Sequence, residues 1–375
     1  MRSQALRYIA KLSAVIPLAL ILGFYCLFYS KPIDSTMPDT PRHVSVVSVW
    51  RNRPDIIVPT ALSYDAHVPN VVPTVQVLPP HPISPRPTEP TGPTEPTLHP
   101  DVRILPSTPD PRLNLTYSTC MPFPDSPKPG VKICPHPPDV DTIISAHLIQ
   151  KKELWEKALV LEMDKALKLD PTLMLFDIGC NIGEYTMWAA ALDRRVVCVE
   201  MLTENAQRVQ VSLEVSNLSD HVTIVNNALY SDHRVLEVTL YRGRMGLPRL
   251  NTSRVHNEEL IDKFHPKLKV KTICIDDLTP LMAGKHVYIK MDIENAEHYA
   301  LKGAHRFFKE VDVRIVQMEW HRRIPSESNP IIEFMALHGY ASSYDSTKYN
   351  PVDLKTNTQN IDVFFMKKSF FGILK

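Results

Sequence analysis

Two acids, an asparagine and one glycine-rich turn are the first residues of this 375-residue chain placed by type and spacing to do chemistry. Asp177 closes a short apolar run, Leu173-Met174-Leu175-Phe176, and is followed by Ile178-Gly179-Cys180-Asn181-Ile182-Gly183. Gly179 and Gly183 let the backbone turn sharply and approach a ligand with no Cβ in the way. Asn181 stands where a dinucleotide-binding loop has its central glycine, which disfavours a pyrophosphate and suits a nucleoside without phosphates. Glu200 ends the next apolar run, where its carboxylate can accept two hydrogen bonds from ribose hydroxyls, and Asp177 can face an amine or ribose. Asn227-Ala228 ends the third run, where an amide can read an adenine edge.

A second group lies further on. Lys290 and Asp292 are two apart at the end of an apolar run, so they share one side of a strand. Glu319 and His321 repeat that spacing. Asp292 and His321 are the candidate proton acceptors, with Lys290 and Glu319 as orienters or charge partners. The plainer readings are a structural ion-pair network for Lys290, Asp292 and Glu294, and a solvated surface histidine beside Arg322 and Arg323.

These residues need a frame that brings strand ends together. Strand-like runs at 173–177, 195–200 and 221–225 alternate with helical patterns at 185–192 and 203–215, and a helix over 151–169 precedes them. Later strands read at 235–241, 269–275, 287–291, 313–318 and 360–366, with helices at 295–308 and 330–338. The alternation predicts an α/β fold with a doubly wound, mostly parallel sheet of about seven strands and a ligand at their carboxyl ends. The last stretch is expected to pair as a hairpin at the sheet edge.

The rest of the chain is different in kind. Residues 12–30 carry no charge, and a helix of that length nearly crosses a hydrocarbon core of roughly 30 Å. Arg2, Arg7 and Lys11 precede it, which holds residues 1–11 in the cytosol and predicts a type II signal anchor. The bulky Phe24 to Tyr29 stretch argues against a cleaved signal peptide. Residues 31–140 hold 26 of the 34 prolines, so they read as an extended, disordered stem rather than a core, with a PxxP docking site as the lesser reading. Residues 141–375 then form the folded domain. Cys120 and Cys134 can close a local disulfide in an oxidising lumen, while Cys180, Cys198 and Cys274 read as free buried thiols. Sequons at Asn114, Asn217 and Asn251 agree with a lumenal address. With 42 basic and 41 acidic residues the net charge is +1, and no broad footprint for nucleic acid exists.

The run from Phe176 to Thr186, Asn227-Ala228-Leu229, the run Ile289-Lys290-Met291-Asp292-Ile293-Glu294-Asn295-Ala296-Glu297, Leu301-Lys302-Gly303-Ala304, and Glu319 with His321 together resemble the FkbM methyltransferase family. The resemblance covers about half the chain, residues 173–367. It implies a Rossmann-like methyltransferase fold that uses S-adenosylmethionine, usually on a hydroxyl. Two departures are Asn295, where glycine is common, and Cys180, where alanine is usual. Asp177, Gly179, Asn181, Gly183, Glu200, Asn227 and Ala228 then become the cofactor contacts, and Asp292, His321, Lys290 and Glu319 the catalytic group. No metal is assigned. With the anchor and stem, the expected acceptor is a sugar hydroxyl on glycans passing through the Golgi, with a lipid or small-molecule hydroxyl next. Two alternatives stay open. One is a Golgi glycosyltransferase with metal-binding acids at Asp292-Ile293-Glu294 and Asp276-Asp277, and the other is an inactive lumenal binding module.

Overall fold

A computed structural model describes residues 97–109, 120–241, 244–250, 268–320, 325–357 and 360–370. In chain order these form β1 (Met121–Pro122), β2 (Lys132–Ile133), α1 (Ile144–Lys151), α2 (Lys157–Leu169), β3 (Leu173–Ile178), α3 (Glu184–Ala191), β4 (Val196–Val199), α4 (Thr203–Val215) and β5 (Val222–Val225). They continue as β6 (Ala228–Leu229), β7 (Val235–Tyr241), β8 (Arg244–Leu250), β9 (Leu268–Ile273), α5 (Thr279–Met282), β10 (His286–Met291), α6 (Glu297–Lys302), α7 (His305–Glu310), β11 (Asp312–Trp320), α8 (Pro325–Leu337), β12 (Tyr340–Ser343) and β13 (Ile361–Lys367).

β3 is the centre because it is apolar on both faces: every residue from Leu173 to Ile178 is buried, as a strand covered by helices on both sides must be. Leu173 and Leu175 pack into one core with α2, α3 and α4. Met174, Phe176 and Ile178 pack into the other with α6, α7 and α8, the period-two alternation of a strand. The main sheet has seven strands in the order β12-β13-β11-β10-β3-β4-β5. β11, β10, β3, β4 and β5 run parallel, β13 runs against them, and β12 at the edge pairs antiparallel with β13, as the hairpin reading anticipated. The chain winds outward from β3 to β5, then returns to β10 on the other side of β3, so the strand order reverses between β3 and β10.

Several boundaries differ from the sequence reading. Residues 235–241 and 269–273 belong to a separate four-stranded sheet, β6-β9-β7-β8, and not to the main one. The helix expected over 151–169 begins only at Lys157, and a separate helix, α1, ends at Lys151 before it. Lys152 adopts φ +57 and its N–H returns to Leu148 O, closing α1, so Trp155 and Glu156 fall in the break before α2. The helix expected over 295–308 divides at Gly303, where a Cβ would lie 2.9 Å from Tyr230 O.

The stem and domain boundary also need correction. Residues 97–109 and 120–140, assigned to the disordered stem, are packed on the domain. Ile104 bridges Val225 antiparallel, Leu105 N–H donates to Ile224 O and Asn226 N–H to Arg103 O, so this segment extends the β5 edge. Cys120 and Cys134 are disulfide-bonded, and Phe123, Val131 and Ile133 between them are buried in the core. A few apolar residues and one cross-link therefore order a segment whose proline content reads as unfolded. The anchor at residues 12–30, the sequons at Asn114 and Asn251, and His321 lie outside the described residues. Among the described residues no helix is long and apolar enough to cross a membrane.

Candidate active site

A cavity of about 410 Å³ opens at the carboxyl ends of β3, β4, β10 and β11, where the strand order reverses and open α/β sheets take their ligands. Its floor is the glycine turn. Gly179 has φ +81, and a Cβ there would sit 1.9 Å from the Asp292 carbonyl oxygen, so only glycine lets the β10 end pass this close. Gly183 has φ +92 and packs on Val209. Asn181 itself is left-handed, φ +51, a conformation asparagine tolerates better than most residues. Its N–H donates to Glu200 Oε2 at 2.9 Å, and Leu202 N–H donates to Glu200 Oε1 at 2.8 Å. Burial pushes the Glu200 carboxyl up to about 7, opposed by those two hydrogen bonds. Gly179, Asn181, Gly183, Glu200, Asn227 and Ala228 all line the cavity.

Two of the expected cofactor contacts sit differently. Asp177 is fully buried and does not line the cavity. It lies beneath the turn, accepts from Thr186 Oγ1 at 2.7 Å through Oδ2, and leaves Oδ1 without a hydrogen bond. Burial raises its pKa, with the Lys290 charge opposing. Asn227 lines the cavity, but its amide is engaged with the 97–109 segment: Oδ1 accepts from Arg103 N–H at 2.8 Å and Nδ2 donates to Asp101 O at 3.1 Å. An adenine edge would have to displace those bonds.

The other wall is crowded with acids around one cation. Lys290 is 7% exposed, donates to Gly179 O at 3.2 Å, lies 3.5 Å from Asp292 Oδ2 and stands over the Tyr185 ring. Burial alone would lower its pKa, but the charges of Asp292, Asp177 and Glu156 outweigh it and raise the pKa above the ordinary lysine value. Glu156, from the break before α2, accepts from Tyr185 OH at 2.9 Å. Tyr185 in turn accepts from Gln317 Nε2, and Gln317 accepts from Tyr288 OH at 2.7 Å. Glu294 takes two N–H donors from Arg249 of β8, at 3.1 and 2.9 Å, and burial followed by the Asp292 charge pushes it up to about 7. Glu319 on β11 faces Asp362 on β13 in register. Burial and then the charges of Asp292, Glu294, Glu156 and Asp362 push Glu319 up to about 9, so it holds its proton at neutral pH. Burial and the Glu156 and Asp292 charges push Asp362 up to about 7.

Lys290, Asp292 and Glu319 are thus brought together with the glycine turn. Trp155, Glu156, Tyr185, Arg249 and Asp362 escaped the sequence reading. Tyr185 was within a quoted motif, but the other four lie outside the strand ends and carry no local signal. Asp276 and Asp277, the acids of the glycosyltransferase alternative, do not line the cavity. Asp276 Oδ1 instead accepts from Phe307 N–H, and Asp277 Oδ2 accepts from Cys274 N–H, both at 2.7 Å.

Comparison with known proteins agrees with the resemblance read from the motifs. Residues 177–342 match the family model of the methyltransferase FkbM domain, a segment that starts at Asp177 and ends inside β12. No curated protein matches the chain. Among solved structures, the chain is similar to the magnesium protoporphyrin IX methyltransferase of Synechocystis PCC 6803 with bound SAM, at 12% identity and TM-score 0.33, over 60% of this chain and 83% of that one. It is also similar to the cofactor-bound protein Rv0187 from MTB, at 14% identity and TM-score 0.34, over 62% and 98%. A TehB-like SAM-dependent methyltransferase from Corynebacterium glutamicum aligns at 9% identity and TM-score 0.31, over 60% and 99%.

Proposed function

We propose that this chain is an S-adenosylmethionine-dependent O-methyltransferase that acts on a sugar hydroxyl of glycans in the secretory lumen, behind a type II anchor in the Golgi membrane. The observation that carries the reading is the meeting of the glycine turn and Glu200 with Lys290 and Asp292 at the point where the strand order reverses. The FkbM match over the same residues supports it.

The residues fit the cofactor. The cavity volume lies within the range of small-molecule sites. Val199, Met201 and Leu229 offer an apolar wall beside Glu200, suited to a purine next to a ribose. Glu200 is held by two backbone N–H groups and keeps lone pairs for ribose hydroxyls. Around Lys290 the carboxyls outnumber the cation, which suits the positive charges of a sulfonium and an amino group. When bound, the cofactor would supply an activated methyl group that leaves sulfur as a neutral thioether.

The chain's task is then to place an oxygen and accept a proton. Asp292 lines the cavity, is partly exposed, and is held beside the Lys290 ammonium. It is the proposed base: its carboxylate would take the acceptor O–H proton when that oxygen receives the methyl group. Glu319 carries its own proton at neutral pH and so serves as a hydrogen-bond donor that orients the acceptor. Trp155, 46% exposed at the cavity wall, offers an aromatic face for a sugar ring. For the lumenal setting, the support is the Cys120–Cys134 disulfide, typical of oxidising compartments, and the exposed turn that carries the Asn217 sequon.

Isothermal titration of the purified full-length protein with S-adenosylhomocysteine tests the cofactor. Micromolar binding that is lost in Glu200→Ala is expected, and no binding by folded protein overturns the proposal. Labelled methyl transferred from S-adenosylmethionine should appear in glycans released from acceptor glycoproteins; label only in lipid or polypeptide would sink the sugar assignment. Asn217→Gln should remove a glycan from the protein made in cells.

A further inference from the structure

Away from the cavity, two imidazoles and a carboxylate from three separate parts of the chain converge. His99 belongs to the segment laid along the β5 edge, His233 to the turn between β6 and β7, and Asp277 to the turn after β9. The two histidine rings are stacked, 3.9 Å apart and 15° from parallel. His233 Nε2 lies 2.8 Å from Asp277 Oδ2. One ligand atom from each of the three residues lies within 4.8 Å of the other two.

We propose that His99, His233 and Asp277 form a zinc-class metal site that clamps the 97–109 segment onto the domain. Two imidazoles and one carboxylate are a donor set for divalent transition ions rather than for magnesium or calcium, which prefer oxygen alone. Metal–ligand bonds of about 2.1 Å in a tetrahedron put neighbouring donor atoms roughly 3.3 Å apart. The donor atoms, within 4.8 Å of one another, and the His233–Asp277 contact at 2.8 Å reach that spacing by side-chain rotation, in which the two rings turn out of their stack so that both in-plane lone pairs meet at one ion. Asp277 is already held by the Cys274 N–H at 2.7 Å, the kind of outer support that orients metal ligands. The neighbouring cations are paired locally, Lys271 with Asp101 and Arg234 with Asp232. An ion would compete for the His99 Nδ1 lone pair, which takes the Asp101 N–H at 3.2 Å. The fourth position is left to water. A metal here acts on structure: it joins the segment whose Arg103 N–H donates to Asn227 and whose Leu105 N–H donates to β5 to the turns that follow β6 and β9.

The test uses the full-length protein, stripped with chelator and dialysed against Zn²⁺. One zinc per chain is expected, weakened at least tenfold in His99→Ala and in His233→Ala, and not displaced by excess Mg²⁺. Because His233 is exposed, its removal should leave the fold intact, and circular dichroism checks this. Zinc should also slow hydrogen exchange at the Arg103 and Leu105 amides in the unaltered protein and not in His233→Ala. No bound zinc, zinc retained equally by both variants, or exchange at those amides that ignores zinc would each overturn the proposal.

Discussion

The two walls of the cavity hold carboxylates in opposite ways. On the glycine-turn wall, Glu200 is buried but each oxygen receives a backbone N–H, and those two donors favour its charged form against the burial that raises its pKa. On the facing wall, Glu156, Asp292, Glu294 and Glu319 gather near Lys290, with Asp362 behind Glu319, and burial together with the crowding of negative charges pushes Glu294, Glu319 and Asp362 toward their protonated forms. One wall is built rigidly from local backbone geometry. The other is an electrostatic compromise that a ligand can change.

The largest test of that difference is Gly179→Ala. The added Cβ would sit 1.9 Å from a backbone oxygen that cannot move without shifting β10, at a φ that side chains avoid. A loss of about 4 kcal/mol or more is expected, read by denaturant unfolding as a collapse of stability or of soluble protein. Survival with normal stability would show that the turn is not the rigid wall described.

Lys290→Met attacks the other wall. Removing the cation strands Asp177, Asp292 and Glu156 together, and breaking a buried ion pair costs about 3–5 kcal/mol. The loss should shrink toward pH 5, as the remaining acids take up protons. A loss independent of pH would mean that Lys290 acts through packing alone.

The contrast in legibility follows the same division. The glycine turn, Glu200 and the strand ends are contiguous in sequence, because a β–turn–α unit puts its ligand contacts within a few residues of one strand. Lys290 and Asp292 were readable for the same reason. Glu156 and Arg249 were not, since they reach the cavity from a helix break and a second sheet, nor was Asp362, which meets Glu319 across the antiparallel pairing of β11 and β13, and only the tertiary fold brings them there. The four-stranded sheet was misread because alternation marks a strand without naming its sheet. The disulfide segment was misread because proline content masks three buried apolar residues. Asp177 shows the limit even within a clear motif: its position was predicted, but its side chain turned under the loop.

One isosteric substitution should therefore act with opposite sign on the two walls. Glu200→Gln replaces one acceptor oxygen by a donor and leaves a backbone N–H unpaired, a loss of about 1–2 kcal/mol. Glu319→Gln should stabilise at high pH. The folded Glu319 titrates at about 9 and the unfolded one near 4.3, so between these values the folded state holds the extra proton. Its contribution is whole below about pH 4.3 and is lost as pH rises through about 9. The melting temperature should fall from pH 5 to pH 9, and Glu319→Gln should flatten that fall. Equal signs for the two variants at pH 8 would erase the distinction between the walls.

The smallest expected effect lies where the walls meet, between β10 and α6. Glu294 and Asn295 both adopt left-handed backbone, φ +57 and φ +73, and such conformations cost non-glycine residues energy, asparagine least. Asn295 thus occupies the conformation that glycine, common at this place in the FkbM family, takes freely. Asn295→Gly should relieve that strain and raise stability by about 0.5 kcal/mol or leave it unchanged. The Arg249–Glu294 pair and the Ile293 N–H to Glu297 Oε1 bond, which position the loop from either side, do not involve the replaced side chain. Binding of S-adenosylhomocysteine should accordingly stay within twofold. A loss above about 1 kcal/mol, or a marked fall in binding, would mean that the Asn295 side chain itself holds the junction, and that the acid-rich wall is tied to the turn more tightly than its shared backbone implies.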